Sequence, residues 1–440
     1  MHPLPNPGWP SPAGWAGGAG LSSRARFDRR RQRGLTPAMQ NLPRLLFTAL
    51  LITTCAAPAA DWPRFRGPDQ SGLVTGTGLN PQALEGGAKI LWRANVGTGF
   101  SSIVVAGGRT YTMGNRKDDG KETDYVWCLD ANTGNEIWKH SYPEELKPNL
   151  YEGGPNATPT VEGGRVFTLS KTGRAFCLDA AKGAVIWEVD LAREVGAKKP
   201  EWGFSGSVLI EGDLAIYNVG DAGTALNKET GKVVWKSGPG VAGYSQPVAA
   251  RLDGKRVAVL MAASEALALN PQTGAVLWRH PWKTSYDVNA ADPIVRGNRV
   301  FVSSGYNHGA AVLEVKGGQV TELWKSRVLR NQFSSSVLLG DHVYGVDENQ
   351  LRCVEFATGN VTWTDRVTGK GTLLIADGHI LALSEKGELL IAPATPEEFK
   401  PVSRAQILGG KCWTMPALAH GKLYARNAKG DLVCVDLAAK

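Results

Sequence analysis

Five ten-residue segments constrain the fold more than anything else in the chain: LDANTGNEIW (129–138), LDAAKGAVIW (178–187), LNKETGKVVW (226–235), LNPQTGAVLW (269–278) and VEFATGNVTW (354–363). Each has Gly at its sixth position and Trp at its tenth, and a longer variant, LEVKGGQVTELW, ends at Trp324. A recurrence of this kind marks units that cannot bury an apolar face alone and must stack on their neighbours. Each unit reads as a β-hairpin. One strand ends at Asp, Asn or Glu, whose side chain can bond the turn amides. Gly supplies the left-handed turn conformation, and the returning strand carries a Trp that buries against the next sheet.

A second series lies upstream of the first. Strands rich in Ser, Thr, Pro and Val begin at FSSIVVAGGR (100–109), NATPTVEGGR (156–165), FSGSVLIEGD (204–213), YSQPVAARLDGK (244–255), NAADPIVRGNR (289–299), FSSSVLLGDH (333–342), KGTLLIADGH (370–379) and CWTMPALAHGK (412–422). That makes eight units of four short strands, the pattern of an all-β, eight-bladed β-propeller with four-stranded antiparallel blades. A seven-bladed ring is the disfavoured alternative, since the eight inner strands are counted independently of the Trp series. The chain stops at LVCVDLAAK (432–440), where the next Trp strand is due. The orphan strand 90–96, carrying Trp92, is expected to close the last blade. Trp92, Trp138, Trp187, Trp235, Trp278, Trp324 and Trp363 are thus structural repeat residues. Residues 370–411 form the weakest unit, with AQIL (405–408) in place of a Trp strand.

Four domains follow: an extension over 1–38, a signal peptide over 39–60, an N-terminal segment over 61–88 and the propeller over 89–440. Arg44, the apolar LLFTALLIT (45–53) and Ala57-x-Ala59 compose the signal, and Met39 sits where it should start. Export to the periplasm or cell envelope is expected, with a lipid anchor at Cys55 as the weaker option and RRRQR (29–33) a poor twin-arginine match. The apolar run is too short to span a bilayer. The formal net charge is +8, but residues 1–60 hold seven Arg and one acid, so the body is close to neutral. That excludes an electrostatic footprint for nucleic acid. Cys128, Cys177, Cys353 and Cys434 recur at one strand position and read as buried fillers; Cys412 stands apart.

The Asp-x-x-Thr-Gly-x-x-x-Trp signature resembles the pyrroloquinoline-quinone (PQQ)-like repeat family over 89–440. The segment DWPRFRGPDQSG (61–72) and the stretches YDVNAADPIV (286–295) and CWTMPALAHGKLYARNAKGDLVCVDL (412–437) look like those of exported PQQ-binding-like propellers. The resemblance implies two kinds of relative, quinoprotein alcohol dehydrogenases and a non-catalytic assembly factor of the BamB type. The dehydrogenases hold PQQ over a Trp floor beneath a vicinal disulfide, with a calcium ion held by acidic and amide groups and an Asp base. This chain has no adjacent Cys pair, and no such cluster maps onto it residue by residue.

The favoured reading is therefore a monomeric, non-catalytic binding or scaffolding module that docks envelope proteins through sheet edges and loop faces. It carries no predicted cofactor, metal or catalytic residue. A quinoprotein oxidoreductase using PQQ and calcium is the rival, and a carbohydrate-binding propeller a third reading. The candidate ligand residues are those on loops leading into the innermost strands: Glu152, Asn156, Trp202, Phe204, Tyr244, Gln246, Asp287, Asn289, Asp292, Arg330, Asn331, Gln332, Phe333 and Trp413. Each taken singly reads better as a strand cap or a filler of the channel mouth. His308, between glycines in GYNHGAA (305–311), is a candidate base or metal ligand, but reads better as a loop His bonding backbone. Arg330 either binds an anion or pairs with neighbouring acids, the latter being favoured. Loops 139–155 and 188–203, the longest between blades, are charged and suited to partner contacts.

Overall fold

The structure, a computed structural model, describes residues 60–438. The expected extension, signal peptide and Cys55 anchor lie outside the described residues. Eight antiparallel sheets of four strands follow one another along the chain, and one of them gains a fifth strand. Blades 1 to 7 begin with the inner strands Val104–Ala106, Thr160–Glu162, Leu209–Glu211, Val248–Leu252, Ile294–Arg296, Val337–Leu339 and Thr372–Ala376. Blade 8 begins with Ala417–Ala419 and takes its outer strand, Ile90–Asn95, from the other end of the chain. Trp92 there pairs in register with Cys434. The ring closes as the sequence predicts.

The turn Gly and the Trp turn out to be two halves of one contact between different blades. A Cβ on Gly183 would come within 2.5 Å of the Trp138 ring of the preceding blade. Gly134 stands likewise on Trp92, Gly231 on Trp187, Gly274 on Trp235 and Gly359 on Trp324. The indole N–H of Trp138 then donates to the Ala180 carbonyl in the same turn, at 3.0 Å. Trp92, Trp187, Trp235, Trp324 and Trp363 donate to the next blade in the same way. Trp278 has no such partner, because blade 5 carries the longer hairpin. Asp130 and Asn227 accept the turn N–H groups, as expected.

This pairing explains why blade 7 lacks a Trp. Its outer strand is Ser403–Gln406, so Ile407 and Leu408 of the expected AQIL strand lie beyond it. The next blade, blade 8, has no terminal hairpin for a Trp to stand on, since its outer strand comes from elsewhere in the chain. The hydrophobic core lies between successive blades. Val104, Tyr111 and Cys128 of blade 1 pack with Val166, Phe176 and Leu178 of blade 2, for example. Cys128, Cys177, Cys353 and Cys434 are buried free thiols in such layers. The two loops expected between blades are partly ordered: strand Glu136–Pro143 runs into the first, and helix Leu191–Val195 occupies the second.

Residues 61–88 enter the ring. Trp62 exchanges both backbone bonds with Val105 of blade 1, each 2.8 Å, and Pro63 accepts from Val161 of blade 2. Gln70 bonds Pro247 and Ala249 of blade 4. Arg66 reaches Asp292 of blade 5 and the Ser336 carbonyl of blade 6. Leu73–Val74 then adds a parallel strand inside blade 7. Beyond it, Asp377 accepts from the backbone of Gly76, Thr77 and Leu79. The segment bonds inner strands of most blades and fills one end of the central channel.

Candidate functional site

The other end of the channel is an open funnel of about 400 Å³, with Phe65 of the N-terminal segment in its lining. That volume lies in the range of small-ligand sites. Two tiers of side chains from the innermost strands build it, because alternate residues of an extended chain share one face. The outer tier stands six residues before the end of each inner strand, or eight in blade 4, whose hairpin is longer. Blades 1 to 4 place Phe100, Asn156, Ser205 and Tyr244 there, and blades 5 to 8 place Ala290, Phe333, Lys370 and Trp413. The inner tier is two residues further on and includes Thr158, Ser207, Gln246, Asp292, Ser335, Thr372 and Met415.

Aromatic rings are concentrated at the seam between blades 8 and 1. Phe333 stacks on Trp413 at 4.4 Å between centroids, Phe100 lies 5.9 Å from Trp413, and Tyr151 lies 5.3 Å from Phe100. Lys411 sits 4.3 Å over the Trp413 ring and is paired with Glu152 at 2.8 Å. Across the mouth, Trp202 and Tyr244 are 6.2 Å apart. Burial pushes the Tyr244 phenol up to about 12, so it stays a neutral hydrogen-bonding group.

The polar groups divide into engaged and unengaged ones. Asp292 is 4 % exposed and is the one carboxylate in the funnel lining. Gln246 donates to it twice, through its backbone N–H at 3.1 Å and its Nε2 at 2.8 Å, and Arg66 lies 3.7 Å away. Burial pushes the Asp292 carboxyl upward, and Arg66 and Gln246 oppose that shift. In contrast, Gln246 Oε1, Gln332 Oε1, Trp413 Nε1 and Thr414 Oγ1 are buried without a hydrogen-bond partner. Seventeen buried side-chain N or O atoms among the described residues lack a partner, and these four belong to residues of the funnel lining, where a polar ligand or ordered water would complete the bonding.

Asn156, Trp202, Tyr244, Gln246, Asp292, Gln332, Phe333 and Trp413 line the funnel. The other candidates do not. Phe204 is fully buried in the core between blades 2 and 3. Asn289 is fully buried and donates to the Ala262, Ala263 and Trp282 carbonyls. Asn331 donates to the Val346 carbonyl and accepts from Ser336, and so ties blade 6 together. Asp287 has positive φ in a loop outside the funnel. Glu152 belongs to the rim pair with Lys411. Arg330 pairs with Asp347 at 2.6 Å, as favoured from sequence. His308 does not bond backbone through its ring; the imidazole packs edge-on to Trp282 at 4.5 Å, and burial lowers its basicity. Among the described residues, no three His, Cys, Asp or Glu side chains converge as a metal site.

Sequence reasoning missed Phe65, Phe100, Tyr151, Tyr306 and Lys370. Phe100 and Lys370 were within reach, since they hold the same register position as Asn156 and Tyr244. Phe65 was not, because nothing in the N-terminal segment signals that it folds into the ring.

The family model described as outer membrane protein assembly factor BamB matches residues 122–365, more than half of the chain. The chain belongs to this family of PQQ-like-repeat propellers. Its match to BamB from Moraxella catarrhalis has 17 % identity and a TM-score of 0.58, covering 79 % of this chain and 99 % of that one. A quinohemoprotein alcohol dehydrogenase from Pseudomonas putida matches at 12 % identity and a TM-score of 0.63, covering 86 % and 81 %. Another from Comamonas testosteroni matches at 13 % and 0.62, covering 88 % and 82 %. These likenesses share the fold. No curated protein matches the chain in sequence. In this BamB-family propeller, no helix among the described residues is long and apolar enough to cross a membrane.

Proposed function

We propose that the chain is an exported, non-catalytic binding module of the cell envelope that holds its ligand in the funnel. The observation that carries this reading is the set of four buried, unpaired polar atoms on the funnel wall. The Gln and Trp groups recognise a ligand by hydrogen bonding and hold no basic or nucleophilic atom, and the Thr414 hydroxyl has no hydrogen-bonded base to activate it. The family model, described as an assembly factor, supports a role in holding a partner.

A PQQ and calcium site fits these residues poorly. The single lining carboxylate, Asp292, is already engaged by Gln246 and Arg66, so it offers no free oxygen pair to a hard cation. The lining includes Phe65, and no two of the five buried thiols are bonded or adjacent in sequence. That misfit supports the non-catalytic reading over the quinoprotein one.

A thermal-shift screen of small polar compounds tests the reading on the wild type and on Ala290→Trp, whose indole would fill the funnel mouth. Compounds that raise the melting temperature of the wild type should lose their effect in the variant. Stabilisation that is the same in both proteins would sink the assignment of the funnel as the site.

A further inference from the structure

The funnel is electrically lopsided. On the wall of blades 7 and 8 stand Lys370, with Nζ 5.9 Å from the Trp413 centroid, and the unpaired donors Trp413 Nε1 and Thr414 Oγ1. Among the described residues, Lys370 Nζ has no ion-pair partner, although its backbone N–H donates to Glu385 at 3.2 Å, whereas the neighbouring Lys411 is satisfied by Glu152. Across the ring from blade 8, blade 4 presents the unpaired Gln246 Oε1 on a side chain that is 2 % exposed, and Gln332 Oε1, in the loop leading into blade 6 beside blade 7, is unpaired as well. The wall of blades 7 and 8 therefore wants an anion and acceptors, and Gln246 and Gln332 want N–H or O–H donors.

The space between these poles is apolar. Phe65, Val288 and Met415 line it, and Leu150 stands on its lip with 92 % of its surface exposed. The Trp413 ring is already covered by Phe333 and Lys411, which leaves its edge rather than a flat face for a ligand. Sugars favour open aromatic faces; an aliphatic lip and an edge donor suit a peptide.

Resting on the reading of the funnel as the ligand site, we infer that it captures the free C-terminal carboxylate of a peptide with an apolar last side chain. The carboxylate pairs with Lys370 and accepts from Trp413 Nε1 and Thr414. The backbone N–H groups donate to Gln246 and Gln332, and the last side chain enters toward Phe65. A buried carboxylate needs a charged partner and hydrogen bonds, and Lys370 with its neighbours supplies both.

The test uses the full chain and two pentapeptides of identical sequence ending in Ala-Leu, one with a free carboxylate and one amidated, titrated by calorimetry. The free acid should bind about tenfold or more tightly than the amide. Lys370→Gln should bring the two affinities together, and Lys370→Arg should keep them apart. Equal binding of acid and amide by the wild type, or a preference that survives Lys370→Gln, overturns the inference. Binding of galacturonate but of neither peptide, abolished by Ala290→Trp, overturns the peptide inference and leaves the funnel reading standing. Peptide binding untouched by Ala290→Trp sinks both.

Discussion

The guanidinium of Arg66 lies 3.7 Å from the carboxylate of Asp292, and both side chains are 1 % exposed. The pair joins the N-terminal segment to the deep wall of the funnel. Arg66 also donates to the carbonyls of Gln70, Ser71 and Ser336, so it holds the segment's own turn and the ring together.

Removing one member of a buried ion pair leaves an uncompensated charge, at a cost of about 3–5 kcal/mol. Arg66→Ala should lower unfolding stability by that amount, read from urea denaturation, and expose residues 61–79 to protease. Adding Asp292→Asn to Arg66→Ala should restore part of the loss. No recovery in the double variant would show that the pair's charge is not what matters.

Two glycines with similar backbone conformation separate the cost of a left-handed turn from the cost of the blade contact. Gly163 has φ +58° and open space around it, whereas Gly183 has φ +71° and faces Trp138. Gly163→Ala should cost on the order of 1 kcal/mol. Gly183→Ala should cost a further 1–3 kcal/mol through overpacking. Equal losses in thermal denaturation would contradict the Trp–Gly contact as the unit of blade stacking.

The seam between blades 8 and 1 rests on Arg426, which is fully buried. It donates to the carbonyls of Met113 at 2.6 Å and Gly97 at 2.7 Å and to Thr112 Oγ1 at 3.2 Å. Arg426→Met strands those acceptors, each worth about 1–3 kcal/mol when left unsatisfied. Hydrogen exchange should accelerate first along the Ile90–Asn95 closing strand. Uniform acceleration over all eight blades would argue against a seam that opens locally.

Asp124 gives a pH signature. Burial pushes its carboxyl up to about 7, partly opposed by the hydrogen bond from Asn115 at 2.7 Å, with Glu144, Lys171 and Tyr142 around it. The native state therefore binds a proton that the unfolded chain has lost between the ordinary carboxylate range and about 7. Stability from this group falls as pH rises through that window. Asp124→Asn keeps the shape and removes the titration. It should stabilise the protein by on the order of 3 kcal/mol at pH 8 and by little at pH 4. A stability difference that does not change with pH would refute the assignment.

The ring was legible in the sequence because its two repeat positions are locally determined. Gly marks a turn and Trp marks an outer strand, and eight inner strands share one pattern. The channel-mouth residues were legible only where the register was followed strictly. Asn156, Tyr244 and Gln246 fall on the channel face of an alternating strand. Asn289 falls one position off it and bonds carbonyls between blades, whereas Asn331 shares the phase of Phe333 but lies two residues before it, ahead of the outer tier, and bonds the Val346 carbonyl. Phe204, like Asn289, falls one position off the channel face and packs into the core between blades. The N-terminal segment was not legible as a channel filler, since its contacts span hundreds of residues of sequence, 270 between Arg66 and Ser336 and 301 between Gly76 and Asp377.

Retention of the quinone by the purified protein separates a binding module from a quinoprotein. The purified protein is mixed with PQQ and calcium, passed through gel filtration, and tested for retained quinone and for dye-linked oxidation of alcohols and sugars. A binding module whose only lining carboxylate is tied to Arg66 and Gln246 should retain no stoichiometric PQQ and show no turnover. Stoichiometric retention together with turnover would contradict it.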